Sequence, residues 1–287
     1  MGVVQAAAAQ SIPALPELQL IGVATEPAGL EGNRISYMEA GTGNSDTVFL
    51  LHGIGSNSTG WRFVMDGLKD RHRVIAWNAP GYYLSDNLRA ETPSNFQYAD
   101  AVAALLDALR IDRVCMAGSS FGSLIAASFA FRHPDRVRRL ALLGTARGQK
   151  WLPAEERARR LRMREESIRD GGIGLAQTRW KNLIADNASP TAVRLTQEIL
   201  KATHKRGFIQ AARASDATDV MEFAAQIKAP TVVMVGTEDR VNPPEISRDL
   251  HRAIAGSRLV ELEGIGHLPK LEAPDKVTAL LGEHFAA

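Results

Sequence analysis

One cysteine, Cys115, stands in 287 residues, so no internal disulfide can form and packing must hold the fold. Its place in the apolar run RVCMA marks a packed thiol rather than a nucleophile. An excess of one charge is also lacking. The 34 Lys and Arg against 32 Asp and Glu leave a formal charge of +2, which sets up no strong field for nucleic acid or a membrane surface. No run approaches the ~20 apolar residues of a membrane-spanning helix, and no internal repeat occurs beyond a short alanine run. The opening stretch MGVVQAAAAQSIPALP has neither the basic start nor the long apolar core of a secretory signal. With the lone cysteine, that points to the cytoplasm. No histidines or acids stand at a ligand spacing such as H-E-x-x-H, so no metal site is expected.

What the chain does have is ordinary globular material, 45% hydrophobic and 23% charged. Its length suits one large α/β domain carrying an insertion. Residues 1–16 read as a loose tail, 17–144 and 228–287 as the core, and 145–227 as an inserted helical cap. Within the core, Leu18 to Thr25 and Asn33 to Glu39 suggest a first hairpin. Thr47 to Leu51, Val74 to Trp77, Arg113 to Ala117, Arg139 to Gly144, Thr231 to Val235 and Arg258 to Glu261 read as strands. Several are apolar throughout, as strands covered on both faces must be. Helical patterns between them (Trp61 to Lys69, Ala99 to Leu109, Ser123 to Phe131, Glu245 to Ala255) imply a mostly parallel, twisted sheet with helices on both faces. Thr278 to Phe285 closes the chain as a helix. From Thr145 to Ile227 no strand pattern occurs, and breaks at Pro153, Gly171 to Gly174, Pro190 and Gly207 divide the segment into short helices. The charge run Glu155 to Glu166 reads as a solvated helix face.

The stretch around which the rest is organised is Ile111 to Pro134. There a strand turns through Gly118-Ser119-Ser120-Phe121-Gly122 into an apolar helix. G-x-S-x-G between strand and helix puts Ser120 on a sharp corner with its hydroxyl exposed. Ser119 fails the same test, because Ala117 and Phe121 would flank it. After the strand Thr47 to Leu51 comes His52-Gly53-Ile54-Gly55, a loop able to turn backbone N–H groups inward. The N–H groups of Ile54 and Phe121 are the expected oxyanion donors. A dinucleotide fingerprint does not fit that loop, since Ser58 stands where the third glycine belongs. His52 reads as a brace for the loop rather than a base.

Two more loops follow core strands. Gly236 to Pro244 offers Asp239, with Glu238 as a competitor, and Gly264 to His267 offers a histidine in a glycine-rich loop after a strand, the other such histidine, His52, being read as a brace. Ser120, Asp239 and His267 thus occur in the order nucleophile, acid, base, each at a strand's carboxyl end, where open parallel sheets bind ligands. A neutral His267 would take the Ser120 proton during attack on a carbonyl, and Asp239 would orient the imidazole. Gly53, Tyr83, Trp151 and Trp180 are the expected substrate contacts. For Trp151 and Trp180, as for Met163 and Phe208, packing within the cap explains a large apolar residue at least as well.

As a set, HGIG at 52–55, GSSFG at 118–122, GTEDRVNPP at 236–244 and GIGHLPKLEAP at 264–274 resemble the α/β-hydrolase family. The resemblance covers about 33–147 and 227–285 and not the cap. Within the family the chain most resembles 3-oxoadipate enol-lactonase-like and carboxylesterase-like enzymes. That implies a small ester or lactone substrate, no cofactor, and neither nucleic acid nor membrane as partner; it leaves the oligomeric state open. Leu268, Glu272 and Pro274 fit that group. Meta-cleavage-product C–C hydrolases usually carry tryptophan directly after the histidine, where this chain has Leu268. Relatives commonly have aspartate at Asn78 and often glycine at Tyr83, so Tyr83 would narrow the cleft. Three functions remain: ester or lactone hydrolysis, C–C hydrolysis of a vinylogous diketone with the same triad, and a small-molecule receptor that keeps the triad.

Overall fold

Strands buried on both faces need apolar side chains at every position, and the centre of this chain supplies them. In the computed structural model, which describes residues 11–287, β3 (Thr47–Leu51) has all five residues buried. Phe49 and Leu51 join one core cluster, Val48 and Leu50 the other, the two-residue alternation of a strand serving two layers. The first ten residues of the expected tail lie outside the described residues.

The sheet has eight strands. β1 (Leu18–Gly22), β2 (Arg34–Ala40), β3, β4 (Arg73–Trp77), β5 (Val114–Ser119), β6 (Val137–Leu143), β7 (Thr231–Gly236) and β8 (Arg258–Leu262) lie in the order 1-2-4-3-5-6-7-8. β1 pairs antiparallel with β2 and β2 with β4; all later pairs are parallel. The core helices are α1 (Arg62–Leu68), α2 (Asn95–Ala108) and α3 (Phe121–Arg132). Between β6 and β7 run α4 (Ala154–Ser167), α5 (Gly171–Thr178), α6 (Trp180–Leu183), α7 (Pro190–Lys201) and α8 (Lys205–Asp216). The chain ends in α9 (Pro244–Ala253), α10 (Pro269–Glu272) and α11 (Pro274–Ala286). The larger core cluster takes in residues of α2, α3 and α9; α1 and α11 contribute to the other. From β3 the chain crosses to β4 on one side and later to β5 on the other. The crevice beyond the carboxyl ends of β3 and β5 is therefore where a ligand belongs.

Two helices begin earlier than their apolar pattern. α2 starts at Asn95 because Ser94 and Gln97 form a reciprocal cap: Gln97 N–H donates to Ser94 Oγ at 3.2 Å and Ser94 N–H to Gln97 Oε1 at 3.1 Å. α11 starts at Pro274, a residue suited to a first turn, where its missing N–H would have no acceptor. α10 follows directly on the His267 loop, where no element was expected. α4 buries none of its residues, in keeping with the solvated face expected of its charge run.

Candidate active site

Ser120 sits between β5 and α3 with φ 56° and ψ −122°, a backbone region that L-residues avoid. Two glycines make the corner possible. A Cβ on Gly118 would lie 2.2 Å from the Gly122 carbonyl oxygen, and one on Gly122 would lie 2.2 Å from that of Leu51. The elbow is pinned on both sides: Ser120 N–H donates to Leu143 O at 2.9 Å, and Ser123 Oγ donates to Ser120 O at 2.6 Å.

The loops after β7 and β8 bring an acid to a base. Asp239 Oδ1 accepts the N–H groups of Val241 and Asn242, each at 2.9 Å, so the carboxylate is held by its own turn. Its Oδ2 lies 2.8 Å from His267 Nδ1, and both side chains are buried. A carboxylate can only accept, so Nδ1 carries the proton and Nε2 is the free acceptor. The His267 loop is clamped by Glu272, whose Oε2 accepts Gly266 N–H at 2.9 Å and Oε1 accepts Leu268 N–H at 3.0 Å. Glu272 Oε2 also accepts Ala185 N–H at 2.8 Å, which ties the helical insertion to the same loop.

Ser120 and His267 line one cavity with Gly53, Ile54 and Gly55. Among the described residues they are not hydrogen-bonded to each other. Neither Ile54 N–H nor Phe121 N–H, the latter at the first position of α3, donates to a protein acceptor among the described residues. A Cβ on Gly53 would come within 3.0 Å of Ser120 Cβ, so the loop must pass as bare backbone. His52 is a brace: its Nδ1 lies 2.9 Å from Gly53 O, and its Nε2 accepts Ala79 N–H at 3.0 Å. Burial pulls its imidazole down to about 4, so the ring is neutral.

Three of the expected substrate contacts lie elsewhere. Tyr83 lines a separate surface groove with Leu18 and Leu84. Trp151 is 47% exposed and stacks under the Arg147 guanidinium, which is 4.6 Å from the ring. Trp180 packs against the insertion's own cluster of Ile168, Leu175, Leu183, Leu200 and Phe208. Met163 is exposed, and Phe208 is buried in that cluster. The insertion instead lines the cavity with Arg179, Leu183, Thr196, Ile199 and Leu200.

Sequence reasoning also missed Lys270. It is 1% exposed, lines the cavity, and donates from Nζ to Ser119 Oγ at 2.8 Å. Burial pulls its ammonium down to about 7. Its only sequence signal is a place three residues after His267 in a one-turn helix, which swings it inward beside the base. Among the described residues, no group of three or more His, Cys, Asp or Glu side chains is gathered to hold a metal ion.

Residues 46–274 match the profile of the family described as the alpha/beta hydrolase fold. A 2-hydroxy-6-oxononadienedioate/2-hydroxy-6-oxononatrienedioate hydrolase of Burkholderia vietnamiensis is 26% identical over 262 residues, covering 87% of this chain and 90% of that protein. The solved enol-lactonase of Burkholderia xenovorans superposes with a TM-score of 0.80 at 26% identity, over 92% of this chain and all of the other (100%). An esterase from Exiguobacterium antarcticum gives a TM-score of 0.82 at 22% identity, over 94% and 99% of the two chains, a likeness of fold alone.

Proposed function

The chain belongs to the α/β-hydrolase family and is an enzyme, and on that premise we propose that it cleaves a small carboxylic ester or lactone with Ser120, His267 and Asp239, needing no cofactor. The observation that carries this reading is the buried 2.8 Å contact between His267 Nδ1 and Asp239 Oδ2, with His267 and Ser120 on the wall of one cavity. His267 Nε2 takes the Ser120 proton as the oxygen attacks the carbonyl carbon. The developing oxyanion is received by the N–H groups of Ile54 and Phe121, which have no other acceptor among the described residues. His267 then returns the proton to the leaving oxygen, and water repeats the sequence on the acyl-enzyme. Asp239 keeps the imidazole in the tautomer that both halves need. Residues 145–227 act as a lid, since five of their residues line the cavity that holds Ser120.

The test is an acyl burst with an activated ester. Wild-type protein should release a stoichiometric burst, whereas Ser120→Ala should show none and lose at least ~10³-fold in steady-state rate. A normal burst in that variant rejects the assignment. The names of the curated relatives favour a second reading, C–C hydrolysis of a vinylogous 1,5-diketone by the same three residues. It requires consumption of a coloured ring-fission product; good esterase turnover beside inactivity on such compounds removes it.

A further inference from the structure

Lys270 is a buried basic side chain for which the acyl-transfer steps have no task. Its ammonium carries three N–H donors, of which one reaches Ser119 Oγ at 2.8 Å. The ring of Trp61, 5.0 Å from Nζ, faces part of the charge. No carboxylate pairs with it among the described residues. Glu272, two positions on, is already engaged by the backbone N–H groups of Ala185, Gly266 and Leu268. An ammonium buried with one hydrogen bond is costly to keep, and an anion placed beside it relieves that cost.

The surrounding wall has the same bias. Thr196 is 1% exposed and lines the same cavity, with an Oγ1 that has no partner among the described residues. Arg179 lines it too; its Nε is buried without a partner, and it forms no ion pair among the described residues. No aspartate or glutamate contributes to the lining. The cavity around the serine is thus lined by the basic side chains of Lys270 and Arg179 and by no carboxylate, in a protein of formal charge only +2.

We propose that this wall is an anion-binding subsite, in which Lys270 Nζ and Thr196 Oγ1 hold a carboxylate on the same substrate whose carbonyl Ser120 attacks. The substrate is then a half-ester, a lactone acid or an oxo acid rather than a neutral ester. This deepens the hydrolase reading and rests on it, so the test has one arm that needs turnover and one that does not.

In the first arm, kcat/KM is measured for the p-nitrophenyl monoester of glutarate, with an anionic acyl group, and for p-nitrophenyl valerate, its neutral counterpart. Wild-type protein should prefer the anionic ester. Lys270→Met should cut the ratio of the two by about 10- to 100-fold, the worth of a hydrogen bond to a charged group. Thr196→Val, which keeps the side-chain shape, should cut it by about 3-fold and carries the test if Lys270→Met fails to fold. A wild-type preference for the neutral ester, or an unchanged ratio in the variants that fold, overturns the subsite. Turnover of neither ester counts against ester hydrolysis and leaves the decision to the second arm. There glutarate, then inorganic phosphate, is titrated calorimetrically into the wild type and the same variants. Glutarate should bind the wild type and bind Lys270→Met about 10-fold more weakly. Absent or variant-insensitive glutarate binding overturns the proposal, as does binding of phosphate alone.

Discussion

Ser120 is held at φ 56° in a corner that leaves Gly118 and Gly122, two positions to either side, no room for a side chain. Gly122→Ala should therefore destabilise the fold by several kcal/mol, on the order of 3 or more, because its Cβ would strike the backbone at the end of β3. Chemical denaturation reads this directly. At the base, Asp239→Asn removes the acceptor that fixes His267 as the Nδ1–H tautomer. We expect kcat to fall by about 10⁴-fold with the melting temperature little changed. His52 gives a pH prediction. Its folded pKa of about 4 lies below the ordinary 6.5, so between those values the unfolded chain binds the extra proton. Its contribution to stability is full above pH 6.5 and is lost as pH falls towards 4, by up to ~3 kcal/mol. Urea unfolding at pH 7 and pH 4.5 should show a loss that shrinks in His52→Gln.

At the scale of elements, the β8 loop, α10 and the helical segment between β6 and β7 are coupled through one carboxylate. Glu272 accepts N–H groups from the His267 loop and from Ala185 of the insertion. Glu272→Ala should cost about 2–3 kcal/mol through the donors it strands. It should also lower kcat, measured beside the unfolding curve, because His267 loses its seat. Such couplings mark the limit of what the sequence made legible. β3, β5 and β7 could be read because a strand covered on both faces must be apolar throughout, and the elbow because only glycine fits beside Ser120. The pocket wall could not be read. Trp180 and Phe208 satisfy their hydrophobicity inside the insertion's own cluster, and no periodicity shows which helix face meets the core. Lys270 was hidden for the opposite reason. A lysine between proline and leucine near a chain end reads as surface, and only the packing of α10 against the Trp61 turn buries it.

On the scale of the whole molecule, residues 120, 239 and 267 are far apart in sequence yet meet at one rim. The parallel strands β5, β7 and β8 all end on that rim. The antiparallel β1 and β2 lie at the far edge and add no side chain to the cavity. No helix among the described residues is long and apolar enough to cross a membrane. The most direct test of the triad is reaction with a fluorophosphonate, followed by peptide mapping in wild type and in His267→Ala. The expected result is a single adduct on Ser120, formed at least ~10³-fold more slowly without the imidazole. An adduct on Ser119 or any other serine, or labelling of Ser120 at an unchanged rate in His267→Ala, would contradict it.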